Sequence, residues 1–167
     1  MSIVFFSIQS FAQEKYQTKS GTITFESSVP SFEEVKATNN KVTAILKDDG
    51  TIASLALTKA FRFKIALMEE HFNENYLESD VYPKSTFIGK VIQNKNGDVT
   101  VKGKLTMHGI TKEIIANGSL SQDNEIVTIF SEFSVKLEDY EIDIPKIVMY
   151  KIAEEIEIKV NIELKQN

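Results

Sequence analysis

Two histidines, His71 and His108, are the only imidazoles in the chain, and cysteine is absent. A metal site needs several convergent His, Cys, Asp or Glu ligands. These two histidines lie far apart, and no HExxH pair or calcium-loop pattern accompanies them. Without a thiol, disulfide frameworks, thiolate zinc sites, haem attachment, cysteine nucleophiles and a bacterial lipoprotein anchor are excluded. His71 reads as a half-exposed helix residue beside Glu69 and Phe72. His108, followed by Gly109, reads as a hairpin residue whose ring is satisfied by its neighbours. The glycines form no GxGxxG or GxxxxGK[ST] loop, and no GxSxG elbow occurs. Adjacent carboxylates at Asp48-Asp49, Glu69-Glu70 and Glu154-Glu155 fit solvated turns and strand edges. Asn117-Gly118-Ser119 is a formal glycosylation sequon, read here as chance. These residues predict no catalytic group, no metal ligand and no cofactor.

What remains is apolar chemistry, and strands must present it. Residues 155–165 alternate Ile156, Ile158, Val160, Ile162 and Leu164 with charged and polar neighbours. Residues 99–107 do the same with Val99, Val101, Leu105 and Met107. That period of two marks strands with one apolar and one wet face. Turn clusters at Asp48-Asp49-Gly50, Asn94-Lys95-Asn96-Gly97-Asp98 and Gln122-Asp123-Asn124 predict three hairpins. Strands are expected near 19–28, 41–48, 51–65, 85–93, 98–107, 112–120, 125–137 and 153–165. A helix is expected over 66–79, where Leu67, Met68, His71, Phe72 and Tyr76 recur at roughly helical spacing. About eight strands joined mostly by short turns predict an all-β fold, an up-and-down antiparallel barrel or a sandwich.

Eleven phenylalanines and no tryptophan supply the apolar mass. In a small eight-stranded barrel, inward side chains either fill the interior or surround one small ligand. Candidate wall residues of such a pocket are Phe25, Phe61, Phe63, Phe87, Val91, Val101, Leu105, Phe133, Val135, Ile158 and Val160. Periodicity leaves a closed core and a greasy pocket equally open, and a slip of one residue inverts a strand's faces.

A chain of 167 residues with net charge −5 fits one domain and lacks the basic footprint of a nucleic-acid binder. No apolar run reaches the ~20 residues of a membrane-spanning helix. Residues 1–12 are uncharged, and Ser10 and Ala12 occupy the −3 and −1 places of a small-x-small cleavage site. They read as the remnant of a signal peptide. A single domain then occupies 13–167, in the periplasm or outside the cell.

Tyr82-Pro83-Lys84-Ser85-Thr86-Phe87, followed by Gly103-Lys104-Leu105-Thr106-Met107-His108-Gly109-Ile110-Thr111-Lys112, resembles the YceI-like family. Residues 71–79 are similar to that family's helix, and Tyr140-x-Ile142-x-Ile144-Pro145 with the last strand is similar to its C-terminal third. The resemblance implies an eight-stranded antiparallel lipocalin-like barrel with one short helix near the mouth. It also implies export to the periplasm and a polyisoprenoid or other amphiphilic lipid in the interior. Two departures bear on the mouth. The family's histidine after the first strand and its glycine-phenylalanine pair have no counterpart in Ser27–Val35, and its late arginine has none near Phe133–Leu137.

Three functions follow for comparison. The first is binding, for carriage or storage, of a hydrophobic small molecule such as a polyisoprenoid or fatty-acyl lipid. The second is a filled barrel that binds a protein partner or serves envelope stress, with the apolar 139–150 connection as its surface. The third, catalysis, has no residue to recommend it. A homodimer is compatible with all three.

Overall fold

The computed structural model describes residues 15–28, 34–144 and 152–166. The expected signal remnant, 1–12, lies outside them, as does the second half of the 139–150 connection. The strands are β1 (Lys15–Ser28), β2 (Lys36–Lys47), β3 (Thr51–Leu57), β4 (Arg62–Phe63), β5 (Lys84–Gln93), β6 (Asp98–Met107), β7 (Ile110–Asp123), β8 (Ile126–Lys136) and β9 (Ile152–Gln166). Every pairing is antiparallel, in the order β1-β9-β8-β7-β6-β5-β3-β2, and β1 also pairs with β2. Eight strands therefore close a barrel. The two-residue β4 adds only Ala37↔Phe63 and Thr38↔Arg62 to the rim of β2.

Local chemistry sets the hairpins. At the β2–β3 turn, the Gly50 N–H donates to the Lys47 carbonyl (2.9 Å) and the Thr51 N–H to Asp49 Oδ1 (2.8 Å). Met107↔Ile110 closes a two-residue β6–β7 loop in which His108 (φ 51°) and Gly109 (φ 76°) are both left-handed. That is the type I′ geometry whose twist suits a hairpin. A Cβ on residue 109 would lie 2.7 Å from Tyr82 Cε1, so the position needs glycine twice over.

Four expectations change. β1 begins at Lys15 rather than 19. β2 begins at Lys36 rather than 41. Its first residues include Asn39 and Asn40, poor strand formers, and pairing with β1 from Ile23↔Asn39 to Glu26↔Lys36 holds them extended. β3 stops at Leu57 rather than continuing to 65. There Thr58 donates its N–H to Pro83 O (2.9 Å) and its hydroxyl to Tyr82 O (2.8 Å), turning the chain away. The helix is shorter than 66–79: α1 (Ala66–His71) passes into a single π-helical turn over Phe72–Tyr76.

Antiparallel order places the β2–β3, β5–β6 and β7–β8 turns at one end. The helix, the β6–β7 turn and the segment after β8 gather at the other. Alternate inward residues pack two clusters along the axis. At the turn end Tyr16, Leu46, Ile52, Val91, Val99, Val127, Ile129 and Leu164 pack together. At the helix end Phe61, Phe72, Leu77, Val135, Leu137, Tyr140, Ile142 and Ile144 do so. The β7–β8 ladder stops at Asn117↔Glu132. Beyond it the two strands part, and the 3₁₀ turn at Leu137–Tyr140 packs against both.

Candidate functional site: an apolar cavity under the helix

Between the two clusters lies a cavity of about 300 Å³. Inward residues of seven of the eight barrel strands, all but β2, line it, because period-two alternation sends every second side chain to the axis. Ten of the eleven candidate wall residues line it: Phe25, Phe61, Phe63, Phe87, Val101, Leu105, Phe133, Val135, Ile158 and Val160. Val91 does not. It points inward, but nearer the turn end, where it is buried in the packed cluster.

The cavity is roofed by residues that strand periodicity alone does not select. Met68, His71, Phe72, Tyr76 and Leu77 reach it from the helical segment, and Leu137, Ile142 and Ile144 from the segment after β8. The i, i+4 spacing of Met68, Phe72 and Tyr76 is the sequence signal for the first group. The second group's signal is the apolar connection at 139–150, which as a sequence reads equally as an interaction surface or as a cover over the barrel. Phe72 joins Phe25, Phe61 and Phe63 in one aromatic cluster, with ring centroids 5.1 to 5.7 Å apart in stacked, tilted and edge-on pairs. Such geometries are favourable beyond simple area burial.

Phe87 is seated by a glycine pair. Gly89 and Gly103 are direct cross-strand partners, and a Cβ on either would lie 2.7 Å from Phe87 Cζ. Their bare backbone lets the ring lie flat across β5 and β6.

Among the described residues, no Asp, Glu, Lys or Arg lines the cavity. Its polar groups are hydroxyls (Ser27, Ser54, Thr58, Tyr76, Ser85, Thr86, Ser131) and the His71 ring at the rim. Several hydroxyls are already engaged, as in Ser27 Oγ donating to Ala153 O (3.2 Å). Burial raises the Tyr76 phenol above its ordinary value, which keeps it neutral. The arrangement can desolvate an uncharged apolar chain and offer hydroxyls to a modest polar group. Among the described lining residues it brings together no paired acid and base and no activated nucleophile. Among the described residues, no cluster of three or more His, Asp or Glu could hold a metal.

The second histidine works beside the cavity. His108 Nδ1 is 2.9 Å from Tyr140 O and Nε2 is 3.0 Å from Glu78 Oε2. Its ring also stands edge-on to Tyr82, with centroids 4.5 Å apart. It is a satisfied hairpin residue that ties together the segments roofing the barrel.

Comparison with known proteins agrees with this geometry. The YceI-like domain model matches residues 5–164. A UPF0312 protein of Photorhabdus laumondii is 31% identical over 90 residues. The match covers 54% of this chain and 42% of that protein, so the chain spans less than half of the relative's length. A polyisoprenoid-binding domain from Saccharophagus degradans, implicated in plant cell wall breakdown, superposes with a TM-score of 0.77 at 11% identity, covering 93% of this chain and 100% of that one. BcnA of Burkholderia cenocepacia gives 0.75 at 15% identity, covering 86% and 95%. The Campylobacter jejuni YceI protein gives 0.62 at 12% identity, covering 100% and 91%. At these identities the three structures speak for the fold.

Proposed function

The chain belongs to the YceI-like family, and from that premise we propose that its barrel binds the apolar chain of an amphiphilic lipid or isoprenoid, for carriage or storage. Family and fold support hydrophobic ligand binding in general. The observation that carries the reading to this chain is the cavity of about 300 Å³ whose described wall residues carry no Asp, Glu, Lys or Arg. That volume sits at the small end of ligand pockets. Each methylene moved from water into it contributes ~0.8 kcal/mol. About ten methylenes would contribute roughly 8 kcal/mol before the costs of ordering the ligand. Among the described residues no cation lines the wall, which favours a neutral or weakly polar head over a phosphate held inside. We read the work of the barrel as binding rather than catalysis, and its setting as the periplasm or the exterior.

An open cavity favours this reading over the filled barrel that serves a protein partner. The test is organic extraction of the purified protein, with mass spectrometry of the extract set beside native mass spectrometry of the intact chain. A stoichiometric apolar compound is expected. An empty protein that also takes up no isoprenoid or fatty-acyl probe would sink the proposal.

A further inference from the structure

The outer wall of the barrel is electrically lopsided. Strands β3, β5 and β6 carry four lysines (Lys84, Lys90, Lys102, Lys104) and one carboxylate, Asp98, at the turn end. Strands β8 and β9 carry five glutamates (Glu132, Glu154, Glu155, Glu157, Glu163) against Lys136, Lys159 and Lys165. In the closed order β9 lies directly across the barrel from β5. A protein of net charge −5 thus turns one positive face outward.

Register concentrates that face. Lys90 stands directly opposite Lys102, and Ile88 directly opposite Lys104. Lys102 in turn faces Ile115, and Lys104 faces Glu113. Like charges directly opposite on neighbouring strands destabilise a sheet. Lys90 finds relief in Asp49 (3.0 Å) on the adjacent turn. Lys84 and Lys102 make no ion pair with any described residue. Between the lysines stand Ile88 and Ile115, 64% and 61% exposed, with Ile92 further along β5 at 49%. Large aliphatic side chains left this open mark an interaction surface when they cluster.

We infer that the β5–β6 face docks on an anionic bilayer surface. Lysine attracts such a surface, while the isoleucines and the lysine stems enter the headgroup boundary. The lysines favour an anionic surface over a neutral one, and the exposed isoleucines exceed what a purely electrostatic contact requires. The inference goes beyond the cavity reading. It places the barrel beside a membrane whether or not a lipid enters it.

The experiment is sedimentation of the full chain with phosphatidylglycerol–phosphatidylcholine vesicles and with pure phosphatidylcholine vesicles, at low and high salt. Binding is expected to the anionic vesicles alone, weakening as salt screens the charges. Lys102→Gln and Lys104→Gln should each lower the partition coefficient about fivefold, and Ile88→Ser should lower it as well. Lys159→Gln, on the opposite wall, should not. No binding to anionic vesicles would overturn the inference, as would equal losses from Lys102→Gln and Lys159→Gln. A cavity-filling Ala116→Phe variant separates the two proposals: docking should survive it. If that variant alone lost vesicle binding, the vesicles were supplying a cavity ligand and the docking face is refuted.

Discussion

His108 presents Nδ1 to the main-chain carbonyl of Tyr140 at 2.9 Å, joining the β6–β7 turn to the 3₁₀ turn after β8. A carbonyl and a carboxylate both only accept, so Nδ1 donates to Tyr140 O and the Glu78 contact requires a proton on Nε2 as well. Two segments that roof the cavity are thereby fastened through one ring, and the Glu78 carboxylate at Nε2 adds the helical segment as a third.

Removing that ring should loosen all three. His108→Ala leaves the Tyr140 carbonyl without its donor, and a buried group so abandoned costs about 1–3 kcal/mol. A melting temperature lower by several degrees is expected, since each kcal/mol moves a domain of this size by ~2–4 °C. An unchanged melting temperature would show that the latch holds nothing.

Tyr140 itself carries a contradiction. Its side chain is almost fully buried, yet among the described residues its hydroxyl finds no hydrogen-bond partner. Tyr140→Phe is therefore expected to be neutral or stabilising by about 1 kcal/mol. Burial, then the Asp139 charge, push the phenol up to about 12 from 10. A raised folded value means that the unfolded chain loses its proton first. Stability is then fully present below pH 10 and falls as pH rises towards 12. Denaturant titrations across that window should show the loss in the parent and its absence in Tyr140→Phe.

Asp49 behaves in the opposite sense. Hydrogen bonds from Thr51 hold its carboxyl well below the usual range, with Lys90 assisting. A depressed folded value stabilises above the unfolded one, 3.8, and the benefit goes as pH falls below it. Asp49→Asn should melt below the parent at pH 7, and the gap should narrow progressively as pH falls below about 4. A gap independent of pH would mean that the turn needs the shape of Asp49 and not its charge.

The glycine seat under Phe87 is a packing prediction. A methyl on Gly89 would collide with the Lys102 carbonyl and lie 2.8 Å from the Gly103 Cα. Backbone cannot yield cheaply, so Gly89→Ala should cost about 1–3 kcal/mol and tilt Phe87 into the cavity. Urea denaturation measures the first effect and weaker uptake of an apolar fluorescent probe the second.

Filling the cavity tests the binding reading without touching the rim. Ala116 is buried and lies on the wall. Ala116→Phe should abolish probe uptake while the far-ultraviolet circular dichroism of the barrel persists, with a stability cost of about 1–3 kcal/mol. A folded variant that still takes up the probe would place the ligand elsewhere.

By itself the sequence determined the barrel's staves. Period-two alternation in β6 and β9 located those strands within a residue or two, because one wet and one dry face mark a half-buried strand. Turn chemistry located the β2–β3, β5–β6 and β7–β8 hairpins, since few residues tolerate left-handed backbone. Inward alternation also placed Val101, Leu105, Ile158 and Val160 on the wall, whereas Phe61 and Phe63 reach it from beyond the end of β3. Tertiary structure decided the rest. Asn39 and Asn40 are extended only because β1 lies beside them, a partner more than a dozen residues away in the chain. Val91 and Val101 share a face, a cross-strand pair and a packed cluster, yet only Val101 lines the cavity, a distinction that strand periodicity does not carry. Ile142 and Ile144 became roof because β7 and β8 part beyond Asn117 and Glu132. Whether eight apolar faces meet as a packed core or stop short of one is a sum over all the strands at once. The volume left over is a property of closure, and no single strand encodes it.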